Sequence, residues 1–222
     1  MNSILTPRLL TICSLVKHGS KVIDVGSDHA YVPIFLVKEG IAINAASTDV
    51  NEGPIQRSRE NIKRQGLEDK ISVIKADGLR GIALSSYDTV IIAGMGGMLI
   101  AEILSGAESL SGKRLILQPM TAIRELRSFL EKNGFCILNE RLCKEGEKLY
   151  TVMEVQSGAD LPYSDAELIL GRKTREDTLY PLLLSRETEK IEKQIQGLRN
   201  AKIQKPDAIK KLKKLWMEMQ KL

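Results

Sequence analysis

Short apolar segments rich in β-branched residues alternate with amphipathic helical patterns as far as about residue 155. The clearest segment is residues 87–93, which contains Thr89-Val90-Ile91-Ile92 and is followed by a helical pattern over 98–104. Further strands are expected at 21–26, 42–49, 71–76 and 114–117, and further helices at 7–16, 31–38, 54–65 and 123–132. This alternation predicts a parallel α/β sheet with helices on both faces. Strands at 134–138 and 150–155 are expected to form a hairpin that adds an antiparallel edge.

The pattern changes after Gly158, where two charged helical segments follow at about 178–201 and 208–221, with Pro206 between them. Their apolar residues form seams, which predicts an antiparallel helical hairpin. We therefore expect an α/β domain at 1–160 and a basic helical hairpin at 161–222. The basic face of the hairpin includes Lys190, Lys193, Arg199, Lys202, Lys205, Lys210, Lys211, Lys213 and Lys214.

The composition narrows the classes of partner and compartment. A net charge of +5 favours a polyanionic partner such as nucleic acid, although that signal alone is weak. The three cysteines form no CxxC pair, so neither a disulfide framework nor a metal site is expected, and we predict a reducing cytoplasm. The sequence contains no apolar run of the ~20 residues that a membrane-spanning helix needs.

The turn after the first strand, Asp24-Val25-Gly26-Ser27-Asp28-His29-Ala30, carries the first candidate ligand-binding residues, since ligands of parallel sheets bind beyond the carboxyl ends of strands. Asp28 stands where a dinucleotide-binding motif has its second glycine, and a carboxylate there would repel a pyrophosphate. S-adenosylmethionine has no phosphate: Gly26 would let its methionine part approach, and Asp28 could pair with its ammonium group. The alternative is that Asp28 serves solely as a cap of the helix that starts near Ala30.

The turns after the next three strands add to this pattern. Asp49 ends the second strand, and its distance from the glycine turn resembles the ~20-residue offset of an acid that binds a ribose. Asp77-Gly78 follows the third strand, where a carboxylate can accept a hydrogen bond from the adenine amine. Acids after three successive strands favour a nucleoside-containing cofactor. The fourth turn, Ala93-Gly94-Met95-Gly96-Gly97, predicts a wall of the active site; the alternative is a tight turn into the next helix.

The motifs Asp24-Val-Gly-Ser-Asp-His-Ala-Tyr31, Ala93-Gly-Met-Gly-Gly97 and Leu117-Gln-Pro119 together resemble the bacterial TrmK family of tRNA (adenine-22-N1) methyltransferases. The resemblance covers essentially the whole chain. It implies a class I methyltransferase Rossmann-like domain with a C-terminal coiled-coil hairpin, S-adenosylmethionine as cofactor and a D-arm adenine of tRNA as methyl acceptor. The residues implied to bind the cofactor are Asp24, Gly26, Asp28, Asp49, Asp77, Gly78 and Gly94, and the segment 94–97 would face the target base.

Many amino-methylating nucleic-acid enzymes carry an Asn/Asp-Pro-Pro-aromatic motif after the fourth strand. This chain has Gly94-Met95-Gly96-Gly97 at that place. Adenine N1 has an available lone pair, so its methylation needs alignment more than a base. The product gains positive charge, which Asp28 or carbonyls of Gly94–Gly97 would stabilise. The candidate catalytic residues are therefore Asp28, Gly94, Met95 and Gly96.

A paired or stacked adenine must leave its helix before N1 can react, and residues that hold the RNA would offset that cost. The candidate RNA-binding residues are Arg8, His29, Tyr31, Lys210, Lys211, Lys213 and Lys214. Tyr31 could stack on a base. For His29 and Tyr31, a hydrogen bond within the turn and an aromatic at the edge of the core are equally weighted alternatives.

Two other functions compete with tRNA methylation. One is a small-molecule methyltransferase whose tail serves only dimerisation, and the other is an RNA-binding protein that has lost catalysis. The intact cofactor motifs argue against the second. Since helical seams pair equally well within one chain or between two, both a monomer and a dimer remain open.

Overall fold

The computed structural model describes residues 5–201 and 205–222, and seven strands and eight α-helices lie within them. The strands are β1 (Ser20–Val25), β2 (Ala42–Asp49), β3 (Ile71–Lys75), β4 (Thr89–Gly96), β5 (Arg114–Thr121), β6 (Phe135–Glu145) and β7 (Lys148–Ser157). The helices are α1 (Pro7–Ser14), α2 (Tyr31–Lys38), α3 (Glu52–Arg64), α4 (Gly97–Ser105), α5 (Ile123–Lys132), α6 (Asp165–Leu170), α7 (Tyr180–Arg199) and α8 (Pro206–Met219).

The strands form one mixed sheet in the order β3-β2-β1-β4-β5-β7-β6. The first five strands pair in parallel, and β7 runs antiparallel to both β5 and β6. The predicted parallel sheet with an antiparallel hairpin at its edge is confirmed. The direction of winding reverses between β1 and β4, so their carboxyl ends open a crevice at the top of the sheet.

Successive residues of each strand face opposite sides of the sheet, and both sides are covered by helices. In β4, Ile91 packs with α1 and α2, whereas Val90 and Ile92 pack with α4 and α5. The same alternation in β5 places Ile116 on the first side and Leu117 on the second. The core is aliphatic on both sides, as a chain with 4% aromatic residues requires.

The segment 94–97 differs from the expected turn. β4 continues to Gly96, with Met95 opposite Pro119 and Gly96 opposite Thr121, and α4 begins at Gly97. The register shifts on either side of Met95, which bends the strand. A side chain at Gly97 would overlap the carbonyl oxygen of Ala122, so this glycine serves the close packing of α4 on the end of β5.

The C-terminal helices pack against the edge of the sheet. Leu142 of β6 joins a third apolar cluster with α6, α7 and α8, in which Ile191 and Met219 are buried. Trp216 of α8 donates to Glu192 of α7 at 3.0 Å. The sequence does not predict α6, whose first turn is closed by a reciprocal capping box between Ser164 and Glu167.

The predicted long helices at 178–201 and 208–221 are found with shifted ends. α8 begins at Pro206, because proline is well accommodated in the first turn of a helix, so Pro206 lies within the second helix and not between the two. Lys202, predicted on the basic face, lies outside the described residues. Within residues 5–201 and 205–222, none of the helices combines the length and apolarity required to cross a bilayer.

Candidate functional site

A cavity of about 280 Å³ lies where the carboxyl ends of β1 and β4 separate, beneath the first turn of α1. Seven predicted site residues line it: Arg8, Asp24, Gly26, Asp28, His29, Tyr31 and Gly94. Its other lining residues are Leu9, Ser27, Val32 and Ala93; Ser27 and Ala93 belong to the two turns predicted at the site, whereas Leu9 and Val32 are not predicted by the sequence. The structure thus brings together one residue of α1, the turn after β1 and the end of β4.

The turn after β1 is fixed by its own backbone. The amides of Gly26 and Ser27 both donate to the carbonyl oxygen of Thr48 at 2.9 Å, which ties the turn to the end of β2. Gly26 has φ +72°, a left-handed conformation that favours glycine. A Cβ at Gly26 would overlap the methyl group of Met95, so Met95 packs directly on this glycine. The space beside Gly26, which the sequence predicts for the methionine part of the cofactor, is therefore occupied in this structure by the Met95 side chain.

Asp28 does not cap α2, and that alternative is wrong. The N-cap residue of α2 is Ala30, which has φ +55°, and no side chain makes a capping hydrogen bond at this helix start. The Asp28 carboxylate instead forms an ion pair with Arg57 of α3 and lies 3.2 Å from Nε2 of His29. It stays 56% exposed and faces the cavity.

Asp24 is the one buried acid at the site among the described lining residues. Burial raises the pKa of its carboxyl to about 7, against the opposing effect of a side-chain hydrogen bond with Ser27. A positive charge placed beside Asp24 would favour its ionised form and lower this pKa.

The acids after β2 and β3 lie further along the same edge and do not line the cavity. Oδ1 of Asp49 accepts from the amide of Asn51 at 2.9 Å, and Asp77 forms an ion pair with Arg80 at 2.8 Å. The carbonyl of Asp49 accepts from the amide of Ala76 at 3.0 Å, which joins the two strand ends. Gly78 has φ +63°, and a Cβ there would crowd Ile103 of α4 at 3.1 Å.

Arg8 and Gly94, which both line the cavity, are held by Gln118, a residue whose role the sequence does not predict. Its side-chain oxygen accepts from Arg8 at 2.8 Å and from the amide of Gly94 at 3.1 Å. Gln118 is fully buried, and the sequence singles it out only as part of the Leu117-Gln-Pro119 motif, without assigning it a role. Gly96, predicted with Gly94, contacts Thr121 instead of the cavity lining.

The two aromatic residues of the turn stack on each other. The rings of His29 and Tyr31 lie 4.9 Å apart between centroids and 9° from parallel, and Tyr31 is 39% exposed. The carbonyl of His29 accepts from Asn61 at 3.0 Å. The hydrogen bond to His29 thus comes from α3, outside the turn, and Tyr31 presents part of its ring to solvent.

The lysines of the tail lie elsewhere. Lys210, Lys211, Lys213 and Lys214 are exposed on α8 and line a separate surface groove of about 820 Å³ with Pro206 and Met217. Among the described residues, no tail side chain lines the cavity at the sheet. Nor does any group of three His, Cys, Asp or Glu side chains within 5–201 and 205–222 have metal-binding geometry.

Comparison with known proteins gives consistent matches. A family described as "Methyltransferase domain" matches residues 5–153. The tRNA (adenine(22)-N(1))-methyltransferase of Bacillus subtilis (strain 168) is 37% identical over 170 residues, which are 75% of this chain and 71% of the relative. The crystal structure of the B. subtilis M1A22 tRNA methyltransferase TrmK superposes with a TM-score of 0.84 at 28% identity, covering 99% of this chain and 97% of that one.

A structure of Streptococcus pneumoniae Sp1610 in complex with S-adenosyl-L-methionine has a TM-score of 0.80 and 32% identity, and covers 96% of this chain and 100% of that one. The sheet order and the crevice between β1 and β4 define a Rossmann-like methyltransferase. The end of β4, where amino-methylating enzymes carry a proline-rich motif, is glycine-rich here. The chain belongs to the TrmK family of tRNA (adenine(22)-N(1))-methyltransferases, and the resemblance predicted from its motifs is confirmed.

Proposed function

We propose that this chain transfers a methyl group from S-adenosylmethionine to N1 of adenine 22 in the D-arm of tRNA. The observation that carries the proposal is the 37% identity to the B. subtilis enzyme named for that reaction. The cavity supports it, because it lies at the sheet position where nucleoside cofactors of parallel α/β proteins bind.

The residues of the site suit a cationic cofactor without phosphate. Acidic side chains follow β1, β2 and β3, and the carboxylates of Asp28, Asp49 and Asp77 are at least partly exposed. Such an edge would repel a pyrophosphate and attract the methionine ammonium, the ribose hydroxyls and the adenine amine. We propose Asp24, Gly26, Asp28 and Gly94 for the methionine part, and Asp49, Asp77 and Gly78 for the nucleoside.

S-adenosylmethionine supplies an electrophilic methyl group, and the N1 lone pair of adenine supplies the nucleophile, so no base is required. The task of the protein is then to hold the adenine in line and to stabilise the charge it gains. The proposed stabilising groups are Asp28 and the backbone carbonyl of Gly94, which belong to residues that line the cavity, whereas Gly96 does not line it. Asp28 is already paired with Arg57, so its share depends on how far that pair opens.

Met95 has a steric role in this proposal. Its side chain packs on Gly26 and against the core on the α4 side of the sheet. It therefore forms part of the floor between the end of β4 and the turn after β1, and its contacts set the distance between those two elements.

The exposed ring of Tyr31, backed by His29, offers a platform on which an extruded base can stack. Arg8 lines the same cavity and supplies positive charge beside it. We propose that the lysines of α8 hold the tRNA backbone at a distance from the reaction site.

We further propose that 1–160 is the catalytic domain and that α7 and α8 form an antiparallel coiled-coil hairpin within 161–222. The contact between Trp216 and Glu192 and the apolar cluster shared by the two helices support this arrangement. The cytoplasmic location expected from the sequence follows from a tRNA substrate.

The test is methylation of unmodified tRNA by the purified protein with labelled S-adenosylmethionine, followed by nucleoside analysis. We expect label in 1-methyladenosine, and none when adenine 22 of the tRNA is replaced by guanine. Label in another nucleoside, or equal label in the altered tRNA, would contradict the proposal.

A further inference from the structure

We propose that Gln118 is a positioning residue for methyl transfer, which fixes Arg8 and the end of β4 on one side of the cavity through a single side-chain oxygen. The inference rests on the proposed function and goes beyond it, because Gln118 does not line the cavity and belongs to none of the groups expected there.

The amide of Gln118 has only one orientation that satisfies its surroundings. Its oxygen accepts from NH1 of Arg8 at 2.8 Å and from the amide of Gly94 at 3.1 Å, while its nitrogen donates to the carbonyl of Pro119 at 2.9 Å. A flipped amide would turn its NH₂ group toward two other donors. Since the side chain is fully buried, water cannot replace these bonds.

The two donors that share this oxygen come from distant parts of the chain. Arg8 lies in the first turn of α1, and Gly94 lies near the end of β4 with φ +77°. The Arg8 side chain is only 20% exposed: its Nε is 4.0 Å from Glu145, and its guanidinium lies 5.7 Å from the ring centre of Tyr150. Arg8 is therefore held as part of the cavity wall, whereas a surface arginine that reaches freely for RNA would be more exposed.

The consequence for the reaction follows from where the two donors stand. Both line the same cavity as the turn of Gly26 and Asp28, which Thr48 and Arg57 hold independently of Gln118. Loss of the Gln118 oxygen leaves two donors without their acceptor and lets the end of β4 move, whereas the turn after β1 keeps its hydrogen bonds to Thr48 and its ion pair with Arg57. Alignment of the acceptor base should then suffer more than cofactor binding.

The test is Gln118→Met, which keeps the length of the side chain and removes the acceptor. We expect kcat for tRNA methylation to fall by roughly tenfold or more, as for a buried donor left unpaired. Cofactor affinity by calorimetry should fall by a smaller factor than kcat, because Gln118 holds Gly94 but not Asp24, Gly26 or Asp28. Gln118→Glu, which retains an acceptor oxygen, should keep more of kcat than Gln118→Met. The double variant Arg8→Met with Gln118→Met should lose less kcat than the product of the two single-variant losses, because both changes break the same hydrogen bond.

Val90→Ala in β4 is the control for general loosening, because Val90 is buried and contributes only apolar contacts. It should lower the melting temperature and leave kcat nearly intact. The inference is overturned if Gln118→Met keeps kcat within about threefold of wild type, if Gln118→Glu is no better than Gln118→Met, or if Val90→Ala loses as much activity at a matched melting temperature. A wild-type protein that fails to methylate tRNA in the same assay would refute the proposed function instead.

Discussion

Arg127 of α5 and Glu140 of β6 form an ion pair whose side chains are both 0% exposed, with NH2 of Arg127 2.7 Å from Oε1 of Glu140. NH1 of Arg127 donates to the carbonyls of Leu168 and Ile169 at 2.8 Å, and the amide of Lys173 donates to Glu140 at 3.2 Å. The pair therefore joins the sheet to the end of α6, where the C-terminal helical part begins. A side chain at Gly171 would overlap Glu140, so glycine is required beside the pair.

The first prediction follows from this burial. Arg127→Met leaves the Glu140 carboxylate without its partner in the interior, which should lower the free energy of unfolding by ~3 to 5 kcal/mol. Urea denaturation measures the change. Arg124→Met on the same helix is the matched control, because the Arg124 pair with Asp165 is exposed and should contribute at most ~1 kcal/mol. Equal losses in the two variants would show that burial does not set the strength of the pair.

The second prediction concerns pH. The folded-state pKa of Asp24 is raised to about 7 from its ordinary value near 4, so the folded protein holds a proton that the unfolded chain releases between those values. The contribution of Asp24 to stability is therefore full below pH ~4 and is lost as pH rises through ~7.

Asp24→Asn removes this dependence. The variant should gain stability relative to wild type as pH rises from ~4 to ~7, by at most ~1.4 kcal/mol per pH unit, with no further change above. Urea denaturation of both proteins across that range measures the difference. A difference that does not vary with pH would contradict the raised pKa.

The third prediction separates backbone strain from steric overlap at Gly26. Gly26→Ala forces a left-handed residue and collides with Met95, whereas Gly66→Ala meets the same kind of backbone, φ +64°, with no atom within 4 Å. Both should lose roughly 1 kcal/mol or more of stability. Only Gly26→Ala should weaken S-adenosylmethionine binding by roughly tenfold or more in calorimetry. Similar cofactor affinities in the two variants would remove Gly26 from the binding site.

The fourth prediction tests the acids at the strand ends. Asp28→Ala and Asp77→Ala should each weaken cofactor binding by about ten- to a hundredfold, the effect of losing one hydrogen bond to a charged group. Asp69→Ala is the control, because Asp69 is an exposed acid that precedes the amino end of β3, away from the carboxyl ends of the strands. This variant should bind the cofactor normally. Unchanged calorimetric affinity in the first two variants would refute their assignment.

The fifth prediction distinguishes tRNA from a small-molecule acceptor. Replacing Lys210, Lys211, Lys213 and Lys214 by glutamate should weaken tRNA binding and reduce its dependence on salt, because fewer counterions are released from the RNA. Cofactor affinity should be unchanged, since these side chains lie outside the cavity. If tRNA binding and turnover keep their wild-type values, the tail has another role, such as dimerisation, which light scattering would detect.

Most of the fold was predictable because its signals are local. The alternation of apolar strands and helices identified the five parallel strands, and the run Thr89-Val90-Ile91-Ile92, the clearest strand in the sequence, lies in the centre of the sheet. The ends of elements were less predictable: β4 continues through Gly96 because pairing with β5 extends it, and α8 starts at Pro206.

Part of the candidate site was predictable for the same reason. Asp28, Asp49 and Asp77 could be assigned to one edge because parallel strands bring their carboxyl ends together. Their partners could not: Arg57 lies 29 residues from Asp28, and Gln118 lies 110 residues from Arg8. A buried glutamine in a strand carries no local signal of which donors it will meet.

The sequence alone determined the class of fold, the acidic edge and the need for glycine in the turn after β1, since strand periodicity and backbone sterics act between near neighbours. The tertiary structure decided how β1 and β4 enclose a cavity, which side chain occupies the space above Gly26, and which oxygen holds Arg8. Those features depend on the order of strands in the sheet and on the packing of α1 across it, and both arise from contacts between residues far apart in the chain.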